Sequence, residues 1–228
     1  MNWLLGWARS APGSKVVMAV TGVLLAGFLV GHMAGNLLVF GGPGALNAYA
    51  AWLKGSPLVL WGARIGLLGA FTLHVVTGLR LWRQNRAARP ERYVRENTVQ
   101  ASFASRSMVL TGAVVGAFVV FHLLHFTLGA IQREHALLSD REGRHDVYAM
   151  VVLGFQNPLV SLAYVVALLL LALHLSHGLH SFAQSLGFRH RRYTACLETA
   201  APIAAALLII GFLAVPVSVL LGFVGLTP

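Results

Sequence analysis

The chain has one cysteine, Cys196, and only seven acidic residues among 228. A single cysteine excludes an intrachain disulfide framework and a cysteine-ligated iron–sulfur cluster, because both need several thiols. Charge of either sign is scarce, at 11% of residues, where an ordinary soluble domain carries about 25%. So little charge could not cover a soluble surface of this size. With 57% hydrophobic residues and a mean hydropathy of +0.73, much of the apolar surface must face lipid. The marks of a cleaved leader are also missing. Only Arg9 and Lys15 precede the first apolar run, which exceeds 20 residues and lacks an Ala-x-Ala-type exit, so it reads as a retained span.

The charge that is there is basic, with a formal net charge of +10. In a soluble protein this would raise nucleic acid as a partner. Here the basic residues cluster beside apolar runs, which membrane topology explains and nucleic-acid binding does not.

Five segments reach the length of about 20 apolar residues that a bilayer requires. They are Val16–Phe40, Leu58–Trp82, Met108–Ile131, Leu159–Leu186 and Ala200–Leu226. The expected fold is an all-α integral membrane protein, a single transmembrane domain over 1–228 whose first four spans form a bundle. Twelve basic residues fall on the side of the N-terminus and the second and fourth connections, among them Lys15, Arg80, Arg83, Arg106 and Arg192; five fall on the other side. That asymmetry predicts a cytoplasmic N-terminus and an outer C-terminus.

Ten histidines are present, and seven lie within spans: His32, His74, His122, His125, His174, His177 and His180. Ionisable groups at membrane depth face the protein interior and mark function. Depth sorts them. His32 lies 17 residues beyond Lys15 and His122 lies 16 beyond Arg106, both counted from the cytoplasmic side. His74 lies 17 beyond Pro57 and His174 lies 16 beyond Pro158, counted from outside. At 1.5 Å per residue this gives an outer and an inner pair, with levels roughly 10–15 Å apart. Two pairs at two depths suit two metal centres stacked across the membrane. Haem iron takes axial imidazoles from opposite faces of a flat macrocycle, hence from different helices at equal depth. Zinc would want a tighter cluster with cysteine or carboxylate, which the spans lack. His125 and His177 each follow a favoured ligand by three residues and are its alternatives; His180 lies nearer the cytoplasmic end.

Small residues sit beside the histidines. Gly27, Gly31 and Gly35 form a G-x-x-x-G stripe next to His32, and Leu73-His74-x-x-x-Gly78-Leu79 repeats as Leu173-His174-x-x-x-Gly178-Leu179. Glycine one turn from a ligand could let a porphyrin lie against the backbone, while the same stripe is also ordinary helix-packing chemistry.

Several runs carry a family resemblance. Gly31-His32-Met33-Ala34-Gly35-Asn36-Leu37, Asn47-Ala48-Tyr49-Ala50, Asn85-Arg86-Ala87-Ala88-Arg89-Pro90, Ala104-Ser105-Arg106-Ser107-Met108 and Phe121-His122-Leu123-Leu124-His125-Phe126-Thr127 occur in order along nearly the whole chain. Together they resemble the single-chain dihaem cytochrome b subunit of the succinate dehydrogenase and fumarate reductase family. The resemblance implies a bacterial cytoplasmic-membrane anchor for a flavoprotein subunit and an iron–sulfur subunit on the cytoplasmic side. It implies two haems b, the distal one held by His32 and His122 and the proximal one by His74 and His174. It also implies a membrane quinone, menaquinone or ubiquinone, as electron acceptor or donor, and no dicarboxylate chemistry on this chain. Where many members have a histidine, this chain has Lys54.

By position, Arg64, Arg80 and Arg106 are candidates to pair with haem propionates. For the quinone, Asn36, Tyr49, Trp61, Gln156 and Asn157 lie toward the outer side, and Ser105, His180 and Gln184 toward the cytoplasm. The competing readings are a haem-free anchor or assembly protein whose histidines only hydrogen-bond, and a stand-alone transmembrane dihaem reductase.

Overall fold

The computed structural model describes residues 3–88, 103–188, 190, 192 and 194–226. The elements in order are α1 (Trp3–Arg9), α2 (Ala11–Leu37), a 3-10 turn (Leu38–Gly41), α3 (Gly42–Lys54), α4 (Pro57–Ala87), α5 (Phe103–Arg106), α6 (Met108–His122) continuing as a π turn (Leu123–Thr127), a 3-10 turn (His135–Leu137), α7 (Val147–Gln156), α8 (Pro158–Ser185) and α9 (Thr194–Leu220). Among the described residues there is no strand, only one isolated bridge between Ser139 and His145.

Five helical stretches are long and apolar enough to cross a membrane: Ala11–Lys54, Pro57–Ala87, Met108–Thr127, Pro158–Ser185 and Thr194–Leu220. This is an all-α, multi-pass membrane protein. Large exposed side chains such as Leu58, Ile65, Leu110, Leu159 and Leu207 line these helices, as lipid-facing surface requires.

Helix ends follow local chemistry. Pro158 opens α8 while the Asn157 side chain accepts from the backbone N–H groups of Leu159 (3.0 Å) and Val160 (3.3 Å). α8 closes at Gly187 (φ 82°), where Gly187 N–H donates to Gln184 and Phe188 N–H to Ala183. α9 closes the same way at Gly222 (φ 76°), with Gly222 bonded to Val219 and Phe223 to Ser218. Both are Schellman ends, which need a residue that tolerates the left-handed region.

Several expected boundaries move. The third span stops at Thr127, not 131, because the π turn unwinds into Gly129 at φ 60°. The fifth runs Thr194–Leu220, not 200–226: its first turns hold the polar Glu198 and Thr199, and the Gly222 cap ends it early. The helix of the first expected span, α2, begins at Ala11, not 16, and ends at Leu37, not 40. Among the described residues the connections between the expected spans hold three further helices, α3, the four-residue α5 and α7. α3 forms where Gly41-Gly42-Pro43-Gly44 reads as a turn, with Gly42 at φ 83° and proline in its first turn.

The chain divides into two compact units. The first is Met1–Phe28, Ile65–Gly112 and Ala172–Ala206; the second is Leu29–Arg64, Ala113–Leu171 and Leu207–Pro228. The second unit has an apolar core of Val39, Leu46, Tyr148, Val152, Phe155, Tyr164 and residues of α9. There α3 packs on α7 through Asn47, which is fully buried. Its amide donates to Asp146 (2.9 Å) and Asp140 (3.2 Å) and its carbonyl accepts from Tyr148 N–H (2.9 Å).

Candidate functional site

In the first unit His74 on α4 and His174 on α8 face each other, ring centroids 6.3 Å apart and planes at 63°. In the second unit His32 on α2 and His122 on α6 do the same, at 5.7 Å and 80°. All four are half-buried.

A hydroxyl stands behind each ring of the first pair. Thr21 Oγ1 lies 3.1 Å from His74 Nδ1, and Thr111 Oγ1 lies 3.3 Å from His174 Nδ1. Each threonine donates to the backbone one turn back, Thr21 to Val17 O (2.8 Å) and Thr111 to Ser107 O (3.0 Å). A hydroxyl has one proton. With that proton on a carbonyl, the oxygen can only accept from the imidazole, so the ring proton sits on Nδ1. Nε2 then keeps its lone pair, the state a metal ligand requires.

The residue after each threonine is glycine. A Cβ at Gly22 would lie 3.4 Å from His74 Cε1, and one at Gly112 would lie 3.3 Å from His174 Cε1. The rings therefore use space that a side chain would crowd.

His122 Nδ1 lies 3.2 Å from the buried Tyr164 hydroxyl, and His125 Nδ1 lies 3.1 Å from the same oxygen. His125 Nε2 meets the Gln132 amide oxygen at 2.7 Å. With both nitrogens engaged inside the fold, His125 has no lone pair to offer a metal, and the ring that faces His32 is His122. His32 also packs against Phe212 at 5.8 Å.

Two imidazoles on opposite sides of one metal ion, each about 2.0–2.1 Å from it, stand roughly 6 Å apart at their centroids. Both pairs meet that spacing. Among the described residues no three of His, Cys, Asp and Glu converge on a common point. The donor set thus offers two neutral nitrogens per centre, which fits an iron already held by four macrocycle nitrogens and does not fit a four-ligand protein site.

The other expected residues are placed elsewhere. His177 is half-buried one turn past His174. His180 and Gln184 line a cavity of about 10 Å³, room for one water. Asn157 is the α8 cap, and Trp61 carries the Arg64 guanidinium 5.0 Å over its ring, both at exposed positions. Tyr49 stacks on Trp52 and closes over Gly35, where a Cβ would come within 2.9 Å of its ring. Gly27, Gly31 and Gly178 meet no atom within 4 Å of where a Cβ would stand. Arg106 and Lys54 are exposed, Gln156 is exposed, and Arg80, Asn36 and Ser105 are half-buried. Arg89 and Pro90 of the arginine-rich run lie outside the described residues. A groove of about 440 Å³ between Val39, Phe40, Tyr148 and the chain after Gly222 offers one phenol, and that donates to Gly225 O at 3.0 Å.

Thr21, Thr111, Tyr164 and Gln132 are functional candidates beyond the histidines. The threonines had a signal. Thr21-Gly22 precedes His32 by the same spacing, with Phe28 between, as Thr111-Gly112 precedes His122 with Phe118 between. The repeat extends to architecture: span, short helix and proline-started span occur twice, as α2–α3–α4 and α6–α7–α8. No protein-family model, curated protein or solved structure matches the chain.

Proposed function

We propose that this protein is a dihaem cytochrome b membrane anchor of the succinate:quinone oxidoreductase type. One observation carries the reading: two histidine pairs, each drawn from two different helices, with ring centroids 5.7 Å and 6.3 Å apart and a hydroxyl oxygen behind Nδ1 of His74, His174 and His122. His32 and His122 would hold the distal haem b, and His74 and His174 the proximal one. Haem held by these imidazoles would supply one-electron transfer.

The chain's own contribution is ligand identity, orientation and a low-dielectric setting. Thr21 and Thr111 hold the rings of the inner pair and strengthen their donor character through the Nδ1–H bond. Apolar spans keep water from the centres. Electrons from succinate oxidation in the flavoprotein and iron–sulfur partners would arrive on the cytoplasmic side, at the inner pair, and leave to a membrane quinone. The basic excess on the N-terminal side supports that orientation.

The test is purification of the tagged chain from its native bacterial membrane. The reading expects co-purified flavoprotein and iron–sulfur subunits and b-type absorption bands that succinate reduces. A chain recovered alone, without b bands, would support a haem-free anchor. Two haems without soluble partners would support a stand-alone reductase.

A further inference from the structure

Gln132 is the one non-glycine among the described residues with a left-handed backbone, φ 55°. Residues with a side chain avoid that region unless the surroundings hold them there, and such positions concentrate at functional sites. The side chain it presents reaches His125, 2.7 Å from amide oxygen to Nε2. His125 itself is 3% exposed and lies in the π turn, an irregularity that shifts ring positions relative to a regular α-helix.

Proton counting gives this chain one direction. The Gln132 amide oxygen can only accept, so His125 carries its proton on Nε2. A neutral imidazole has one proton, so His125 Nδ1 accepts, and the proton it accepts is that of Tyr164. Having given its only proton to His125, the Tyr164 oxygen accepts from His122 Nδ1–H. His122 is left with a bare Nε2. The whole relay lies within the second unit. α7 makes room for it at Gly154, where a Cβ would stand 3.2 Å from His125 Nε2 and 3.1 Å from Phe126 Cε1.

We infer that Gln132, His125 and Tyr164 form a positioning relay that sets the tautomer and donor strength of His122, and so tunes the outer centre separately from the inner one. The inference rests on the dihaem reading. The inner pair is oriented by threonine hydroxyls tied to their own helix, whereas His122 of the outer pair is oriented by Tyr164 on α8 and, through His125, by Gln132 in the loop after the π turn. Loss of the relay weakens the Nδ1–H bond, lowers imidazole donation and favours the ferrous form.

The experiment is a redox titration of the b bands in the purified complex for wild type, Tyr164→Phe, Gln132→Leu and Gln132→Glu. Tyr164→Phe and Gln132→Leu should raise the reduced-to-oxidised ratio of one haem at fixed potential by roughly three- to tenfold. The other haem should stay in place, and Gln132→Glu, which keeps the accepting oxygen, should restore the wild-type value. Two haems with unmoved potentials in both Tyr164→Phe and Gln132→Leu would overturn the relay. If Tyr164→Phe fails to assemble, Gln132→Leu alone decides, since its side chain lies in the loop after the span. Nitrogen-15 NMR of labelled histidine adds a readout that needs no haem: His122 should be the Nδ1–H tautomer in wild type and lose that bias in Tyr164→Phe. A wild-type chain with no haem would sink the functional reading, and the tautomer measurement would still judge the relay.

Discussion

Thr21 Oγ1 lies 3.1 Å from His74 Nδ1 while donating its own proton to Val17 O. That geometry turns a helix-interior threonine into an acceptor pointed at a histidine, and Thr111 does the same for His174. Thr21→Val keeps the shape and removes the acceptor. The lost bond is worth about 1 kcal/mol, or roughly 40 mV for one electron, and should appear as a rise in the midpoint potential of one haem only. Thr111→Val should move the same haem, because both threonines serve the same pair. A redox titration following the b bands checks both.

Gly112 tests the space around that pair. A Cβ there would lie 3.3 Å from His174 Cε1, so Gly112→Ala should force a shift of a few tenths of an ångström, and Gly112→Val more. Overpacking of this kind costs about 1–3 kcal/mol. The valine variant should lose one haem on extraction, read by pyridine haemochrome quantification, whereas Gly116→Ala, where a Cβ meets nothing within 4 Å, should keep both.

Asn47 holds the α3–α7 contact. Asn47→Ala removes an amide that satisfies Asp140, Asp146 and Tyr148 N–H in a fully buried position. The expected loss is on the order of 3 kcal/mol, seen as a lower Tm in detergent, with the α4–α8 histidine pair and its spectrum retained.

Asp140 gives the same region an acid limit. Desolvation pushes its carboxyl up, but the Arg144 side chain at 2.8 Å, the backbone N–H groups of Arg144 and Glu142, and the Arg144 charge outweigh it and hold the group below its usual range. A carboxylate with a depressed folded value stabilises above its unfolded value of about 3.9 and loses that contribution as pH falls through the folded value. The Tm difference between wild type and Asp140→Asn should therefore be constant above about pH 5 and shrink below about pH 4.

Which histidines meet was legible because a span has a constant rise, so counting from Lys15, Arg106, Pro57 and Pro158 measures depth. The groups behind the rings were less so. A threonine in an apolar helix reads as packing, and only the doubled Thr-Gly spacing before His32 and His122 singles out Thr21 and Thr111. The π turn at Leu123–Thr127 and the left-handed Gln132 have no local signature, since tertiary contacts hold them. The same is true of α3 and α7, which are too short to stand alone and form because each gives the other an apolar face. The early end of α9 was written in Gly222, but the apolar residues after it masked the cap.

The most direct measurement is haem content per chain in wild type and in four single variants, His32→Ala, His122→Ala, His74→Ala and His174→Ala. The account predicts two haems b in wild type and one in each variant. His32→Ala and His122→Ala should share one residual reduced-minus-oxidised spectrum, and His74→Ala and His174→Ala the other. A wild-type chain that folds without b-type bands, or variants that sort into different pairs, would contradict it.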